Sequence, residues 1–591
     1  MCELVNLTAL EKDERVGEIV LHFREGIQDT KTYRSLSAKK KRVTDAMLGK
    51  FADMRFRSKS DLNEAAGLFL SQIDERLGNE AGIVIETIFK TRISNHRGVL
   101  IIYTGGTIGS APKDENDPGS PQVVKPWTQL KFAIPNLDRI GFPIDAISFD
   151  PPLDSCNVGP AHWKAMASII QKYYEDYEGF VILHGTDTMV YTSSALAFML
   201  KNLAKPVVLT GSLIAGIVNV RNDAHQNTLT SLHLANPKAS GLKAIPEVIV
   251  VFGSKIVRGC RAKKMDAAGY DGFDSPNMPL LGTAGDLIEI DSKRVRPLPL
   301  GKTLEVHSLM NTNVLTIDVF PGIQASSVSE RLLQDPNIKG VLLKSYGTGN
   351  VPTHRTFLDP IRRITDRVVV VNVTQCPKGT VELGLYETSQ ILLDHGIVGG
   401  FDITPEAALC KLMFLLGKYG DDVAKVKRFM QRSLAGEQSY SVFTTPFIQH
   451  GSLGPGNRRF DFQAVPMTGV AGGLIDHALL RFHRVQLGVG KSSRVHFQLY
   501  LHLDAGDCGG ARTVCLGSFF KAKPVPFTLL DTDRHFESLA FDLSRARDLL
   551  TESLHEEENG RNRVSFSVTM EDPDTNFGWE TMDLVIFIYE K

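Results

Sequence analysis

The 591-residue chain is poor in cysteine, in net charge and in long apolar runs. Its seven cysteines are scattered and include no C-x-x-C pair. An odd, sparse set argues against a disulfide framework or a zinc site and fits a reducing compartment, so a cytoplasmic protein is expected. A formal net charge of -1 means that the whole molecule is not built for a polyanion or an anionic membrane. No nucleic-acid or membrane partner is therefore expected. No apolar run reaches the roughly 18 residues that span a bilayer. The start, Met1-Cys2-Glu3-Leu4-Val5-Asn6, lacks the basic-then-apolar order of a secretory signal. There are no repeats or low-complexity tracts. Hydrophobic residues make up 42% and charged residues 23%, as in soluble globular proteins, and the length calls for about three or four domains.

Residues 1–95 carry no strong chemical motif and read as a mostly helical extension. Ser60 is placed to cap a helix running to about Leu77, with Leu62, Ala66, Phe69, Leu70 and Ile73 on one face. A basic stretch before it, including Lys39, Lys40, Lys41 and Arg42, reads as a solvated helix face, because no aromatic interleaving or nucleic-acid reader motif accompanies it.

From 96 to 435 the pattern is α/β. Apolar, β-branched runs at 98–103, 180–183, 206–210, 248–252, 340–344 and 368–373 alternate with helical stretches at 162–177, 190–203, 222–234, 405–417 and 422–434. Such alternation predicts parallel sheets with right-handed crossovers. A polar stretch at 290–312, with Pro297 and Pro299, divides a first lobe (96–295) from a second (305–435). Beyond a loop at Ser452-Leu453-Gly454-Pro455-Gly456-Asn457 the period becomes two. Val564, Phe566, Val568 and Met570 alternate with Ser565, Ser567 and Thr569, so 455–591 is expected to be an antiparallel β-sandwich. His496 and His502 lie about 20 Å apart on an extended strand and cannot share a metal ion.

Two turns carry the chemistry. Val99-Leu100-Ile101-Ile102-Tyr103 runs into Thr104-Gly105-Gly106-Thr107-Ile108-Gly109, and Phe180-Val181-Ile182-Leu183 runs into His184-Gly185-Thr186-Asp187-Thr188-Met189. In a parallel sheet the loops after the strands gather on one edge, where ligands bind. If the two strands are neighbours, the hydroxyls of Thr107 and Thr186 and the Asp187 carboxylate face one crevice. A threonine hydroxyl is a weak nucleophile, and it needs a base and a group that takes up the proton. A dinucleotide loop fits poorly, since the glycine order is G-G-x-x-G and no acidic residue follows at the right distance. A purely structural pair of glycine turns stays open on the residues alone.

These two motifs, in this order and nearly 80 residues apart, resemble the signatures of the L-asparaginase family, the bacterial-type amidohydrolases with paired threonines. Tyr191-Thr192-Ser193-Ser194-Ala195, Pro206-Val207-Val208-Leu209-Thr210-Gly211-Ser212, Asp271-Gly272-Phe273-Asp274-Ser275-Pro276-Asn277 and Leu343-Lys344-Ser345-Tyr346-Gly347-Thr348-Gly349-Asn350 resemble its cytoplasmic, type I branch. The resemblance covers about 98–435. It implies hydrolysis of L-asparagine, with L-glutamine as a second candidate amide, and it implies no metal or cofactor. It makes Thr107 the nucleophile, and Thr186, Asp187 and Lys264 the second hydroxyl–base set. Gly106 then serves the oxyanion, Ser155, with Cys156 beside it, grips the α-carboxylate, and Asp187 holds the α-ammonium. Asn350 corresponds to a residue that reaches the site from a neighbouring subunit in a homodimer or homotetramer. Thr374-Gln375-Cys376 resembles part of a regulatory asparagine site.

There are departures. The loop Ser110–Ser120 suits a lid but lacks the tyrosine that family members carry there. Cys156 stands where serine or glutamine is usual, Arg221-Asn222-Asp223-Ala224 replaces R-S-D-G, and Lys263 replaces a threonine. Two further readings therefore remain: the glutamine-amidase subunit of a tRNA-dependent amidotransferase, and an asparagine-binding sensor with weak turnover.

Overall fold

The computed structural model describes residues 84–89 and 97–589, apart from internal segments of which 544–562 is the longest. The helix expected from Ser60 to Leu77 and the basic stretch before it lie outside the described residues. The chain forms two compact units. The first closes at Ser308; the second takes Val257–Lys263 and Asp274–Leu281 and then runs on from Leu309.

The first unit is built on a nine-stranded sheet. Its strands are β1 (Val84–Phe89), β2 (Val99–Gly105), β3 (Ile144–Leu153), β4 (Gly179–Leu183), β5 (Val207–Thr210), β6 (Val248–Phe252), β7 (Lys255–Arg258), β8 (Gly282–Ala284) and β9 (Ile288–Ile290), in the order β1-β3-β2-β4-β5-β6-β7-β8-β9. The central strands are parallel, with Val99 opposite Ile144 on one side and Gly179 on the other. Every residue of β2, β4, β5 and β6 is buried. That explains their unbroken apolar runs, since such strands are covered on both faces. Helices α1 (Pro160–Lys172), α2 (Met189–Met199) and α3 (Ala224–Ala235) supply the crossovers.

The sheet extends beyond what the sequence suggests. β1 belongs to the stretch read as a helical extension, yet it pairs antiparallel with β3, Val84 opposite Ser148, and covers that edge. β3 itself escapes the pattern because Asp145 and Asp150-Pro151-Pro152 interrupt its apolar residues. α2 stops before the expected 203, since Leu200–Lys201 pair with Glu305–Val306 from the stretch read as a linker.

The second unit opens on a parallel sheet of β10 (Val314–Asp318), β11 (Gly340–Ser345), β12 (Val369–Thr374) and β13 (Val398–Gly399), in that order. Helices α4 (Arg355–Ile364), α5 (Pro405–Tyr419) and α6 (Val423–Met430) accompany it. α5 starts where Thr404 Oγ1 accepts the Ala407 N–H at 3.2 Å and Pro405 takes the first turn.

The C-terminal part of this unit is a pair of antiparallel sheets of six and five strands. It begins earlier than residue 455: β14 (Tyr440–Phe447) pairs with the last strand, Thr581–Tyr589, and Gly451–Leu453, read as loop, pairs with Phe577–Trp579. Between the sheets Phe462 lies 5.9 Å from both Phe482 and Trp579, and Phe482 lies 5.0 Å from Trp579. Phe566, Val568 and Met570 are buried as their alternation requires, but so is Ser567, which the pattern put on the polar face.

A buried ion pair closes the unit's core. Lys411 on α5 and Glu437 are both fully enclosed, 2.6 Å apart. Lys411 Nζ also donates to the carbonyls of Met430 (2.9 Å) and Arg432 (2.6 Å) and to Gln438 Oε1 (2.9 Å). Burial works to raise the Glu437 carboxyl, but Lys411 and backbone N–H groups outweigh it and hold it below its usual range. Lys411→Met leaves that carboxylate enclosed without its cation and is expected to cost about 3 kcal/mol or more. Urea unfolding midpoints check this, and the pair Lys411→Met/Glu437→Leu is expected to lose less than the single change.

Candidate active site

Four neighbouring strands, β3, β2, β4 and β5, end on one edge of the first unit's sheet, and each hands over to a loop. The loop after β2 turns sharply, with Gly105 at φ 124 and Gly106 at φ 88. Both are positions where a side chain is strained, and space forbids one as well. A Cβ on Gly105 would run into the backbone of Leu153, and one on Gly106 into the backbone of Gly185. A Cβ on Gly185 would in turn lie 2.6 Å from Ser155 Oγ. The turn after β2 is therefore packed backbone on backbone against Leu153 and Gly185, Gly185 lies against the Ser155 side chain, and the glycines of both motifs are the condition for that approach.

This packing gathers the predicted residues. Thr107 opens a short helical turn beside Gly106 and is half-buried. Its hydroxyl has no hydrogen-bond partner among the described residues. Thr186 is buried, and its Oγ1 accepts from Lys264 Nζ at 3.0 Å. The same Nζ lies 2.8 Å from Asp187 Oδ1. Ser155 is buried; its Oγ accepts the Asp187 N–H at 3.3 Å, and its carbonyl accepts from Thr188 Oγ1 at 2.6 Å. Cys156 is exposed. Partial desolvation and the carboxylates of Asp154 and Asp187 push its thiol up, which disfavours the thiolate. Asn350 belongs to the second unit, where it and Tyr346 exchange backbone hydrogen bonds of 2.9 Å after β11.

The departures find local roles. The Ser110–Ser120 loop starts as a hairpin, Ser110–Pro112 pairing with Gln122–Val124. Beneath it Tyr103 donates to the Lys125 carbonyl at 2.7 Å, and burial pushes its phenol up. Of the changed residues, Asn222 Oδ1 accepts the Ala224 N–H at 3.0 Å where α3 begins. The retained Asp223 accepts the N–H groups of Leu213 (3.0 Å) and Ile214 (3.2 Å), fixing the loop after β5, and Gly216 of that loop donates to the Ile108 carbonyl at 3.3 Å. In the second unit Lys263 pairs with Glu406 at 3.1 Å.

Sequence reasoning quoted His184 as part of a motif but assigned it no task. It is fully buried, with Nδ1 2.7 Å from the Gly185 carbonyl and Nε2 2.9 Å from Thr192 Oγ1. A carbonyl only accepts, so Nδ1 carries the proton and Nε2 accepts from Thr192, which itself accepts from Trp163 Nε1 at 2.9 Å. The chain of donors holds the Gly185 carbonyl on the interior side. The N–H of the same peptide, on Thr186, points the opposite way and has no acceptor among the described residues. The signal was present: a histidine directly after a fully buried strand has to find partners or stay neutral.

Burial lowers His184 to about 4 from its ordinary 6.5. Between these values the unfolded chain holds the extra proton and the folded chain does not, so stability rises with pH there. The contribution is complete above pH 6.5 and is lost as pH falls towards 4, about 3 kcal/mol in all. Urea midpoints measured from pH 7 down to 4.5 should fall less steeply for His184→Gln than for the wild type; parallel slopes would rule this origin out.

Comparison with known proteins shows the family of the core. The profile described as asparaginase, N-terminal, matches residues 98–296, and that of the glutaminase/asparaginase C-terminal domain matches 313–430. L-asparaginase 1 of Escherichia coli is 39% identical over 344 residues, 58% of this chain and 98% of that protein. The 60 kDa lysophospholipase of Mus musculus is 35% identical over 380 residues, 61% of this chain and 65% of that protein. The crystal structure of L-asparaginase I from Vibrio cholerae is 36% identical with a TM-score of 0.51, covering 58% of this chain and 99% of that one. Both threonine turns, the strands that carry them and Lys264 fall within the matched region, and the chain belongs to the asparaginase family.

Proposed function

We propose that this protein hydrolyses L-asparagine to L-aspartate and ammonia through an acyl-threonine intermediate. The observation that carries the reading is the Lys264 bridge, 3.0 Å to Thr186 Oγ1 and 2.8 Å to Asp187 Oδ1, on the sheet edge that also bears Thr107. Thr107 Oγ adds to the side-chain amide carbon, the C–N bond breaks, and the proton from Thr107 leaves with ammonia. Water then adds to the ester and the bond to Thr107 Oγ breaks; one water proton returns to that oxygen, the other is taken up by the released ammonia, and the β-carboxylate leaves. Thr186 and Lys264 hold and pass the proton: Thr186 Oγ1 takes the proton of Thr107 as the amine form of Lys264 takes that of Thr186, and the relay runs back when ammonia leaves. The oxyanion meets backbone N–H groups, that of Gly106 and its neighbours and the outward-facing one of Thr186. Ser155, next to Cys156, takes the α-carboxylate, and Asp187 takes the α-ammonium.

The same reading makes the working form a homodimer or homotetramer, in which Asn350 of one copy completes the site of another. The sparse, odd number of cysteines supports a cytoplasmic setting. Among the described residues no helix is long and apolar enough to cross a membrane.

Ammonia release from L-asparagine and L-glutamine by the purified protein tests the proposal. Turnover of asparagine without tRNA supports the hydrolase. Turnover of glutamine only with tRNA and a partner subunit would move the chain to the amidotransferase class. Asparagine binding with no ammonia would make it a sensor.

A further inference from the structure

The catalytic lysine follows a segment that is gripped with unusual density. Within the second unit Arg261, only 3% exposed, is bonded at each of its three guanidinium nitrogens: Nε donates to the Gly436 carbonyl (2.7 Å), Nη1 pairs with Asp402 Oδ2 (2.8 Å), and Nη2 donates to Ser439 Oγ (3.2 Å). Asp402 closes the ring by accepting the Ser439 N–H at 2.8 Å and its hydroxyl at 2.6 Å. Cys260 adds a bond to the Ala435 carbonyl at 3.4 Å. Lys264 comes three residues after Arg261 in the chain.

The other side of this clasp leads directly into the β-sandwich. Ser439 is followed by Tyr440, the first residue of β14, and Tyr440 pairs with Tyr589 of the last strand. The Tyr440 ring lies 5.4 Å from that of Tyr589 and 6.0 Å from that of Phe401, the residue before Asp402. Phe401 has φ 53, a backbone conformation that a bulky aromatic seldom adopts and that persists only where the surroundings enforce it. Strain, a buried guanidinium bonded at all three nitrogens and the join to the sandwich thus coincide at one place.

We propose that Arg261, Asp402 and Ser439 are positioning residues for Lys264, and that through them the first strand of the β-sandwich is part of the catalytic scaffold. A planar guanidinium held at three nitrogens fixes direction as well as distance, so the chain leaving it towards Lys264 has little freedom. This places the sandwich in a role that the asparaginase profiles do not cover, since they end at residue 430. The inference rests on Lys264 acting in turnover.

The test uses the full-length protein and a double-mutant cycle. Ser439→Ala removes one bond to Arg261 and one to Asp402 while leaving the apolar packing in place. Its kcat for L-asparagine is expected to fall about ten-fold with KM little changed, and Ser439→Thr, which keeps the hydroxyl, to recover most of the loss. In a Lys264→Met background the same Ser439→Ala change is expected to have no further effect, because nothing remains to be positioned. Tyr440→Ala is expected to lower kcat as Ser439→Ala does, and the two losses not to add.

An equal fall in both lysine backgrounds would reduce the clasp to a structural feature and overturn the proposal, as would wild-type kcat in Ser439→Ala. Wild-type kcat in Tyr440→Ala would remove the sandwich from the scaffold. Wild-type turnover in Lys264→Met would overturn the catalytic reading of the lysine itself and this inference with it.

Discussion

Thr107→Ala is expected to lower kcat for L-asparagine by about three orders of magnitude or more, with the affinity for L-aspartate little changed. The residue sits in a turn whose shape is set by its neighbours and not by its own side chain. Gly105 and Gly106 take the left-handed φ values, Gly109 N donates to the Gly106 carbonyl at 3.0 Å, and Ser110 Oγ donates to the same carbonyl at 3.3 Å. The Thr107 hydroxyl contributes no bond to this scaffold, so its removal leaves the turn and the stacked Gly185 and Ser155 in place. Binding and chemistry should therefore separate. Product binding by calorimetry and turnover by ammonia release check the two halves. A variant that keeps even a tenth of wild-type kcat would exclude Thr107 as the nucleophile. Thr107→Ser is the partner experiment, since it keeps the oxygen and loses only the methyl group.

The sequence and the structure agree where one physical cause dominates. The buried parallel strands β2, β4, β5, β6, β11 and β12 were legible because burial on both faces forces an unbroken apolar run. The sandwich was legible in Val568 and Met570 because a sheet with one covered face alternates. What escaped lies at the edges or is set by distant partners. β3 carries Asp145, whose carboxylate takes the Tyr177 hydroxyl at 2.7 Å, so a charge sits inside a strand for a reason 32 residues away. α4 contains Pro360 and three arginines, and its apolar face, Phe357, Leu358, Ile361 and Ile364, appears only once the chain is wound. β10 and β9 are edge strands and β8 is the neighbour of β9; all three are mostly exposed or half-exposed, and such strands need few apolar residues.

The site divides in the same way. Thr107, Thr186 and Asp187 announce themselves because a hydroxyl after a glycine turn on a buried strand is a local pattern. Lys264 was placed only by its family segment, and no local rule tells it from Lys263 beside it. The structure separates the two by partner: Lys264 meets Thr186 and Asp187, and Lys263 meets Glu406. His184, Thr192 and Trp163 form a chain only in three dimensions, and Arg261 becomes informative only when Asp402 and Ser439, more than a hundred residues on, are brought to it.

Lys264→Met is expected to lower kcat by about two to three orders of magnitude while KM changes little. Methionine keeps the length and packing of the stem, and Asp187 is well exposed, so it loses a partner without being stranded in the interior. The backbone link from Asp187 N to Ser155 Oγ does not depend on the lysine. Lys264→Arg decides what the loss means. A guanidinium restores the positive charge and the hydrogen bonds to Thr186 and Asp187, but it does not give up a proton in the physiological range. If Lys264 acts only as a fixed charge, Lys264→Arg recovers most of the activity that Lys264→Met loses. If it takes and returns the proton of Thr186, arginine stays nearly as inactive as methionine, and a small primary amine added to Lys264→Ala restores part of the rate. We expect the second pattern, because Lys264 Nζ bridges a buried hydroxyl and an exposed carboxylate: in its amine form it takes the Thr186 proton, and the carboxylate beside it connects that proton to solvent.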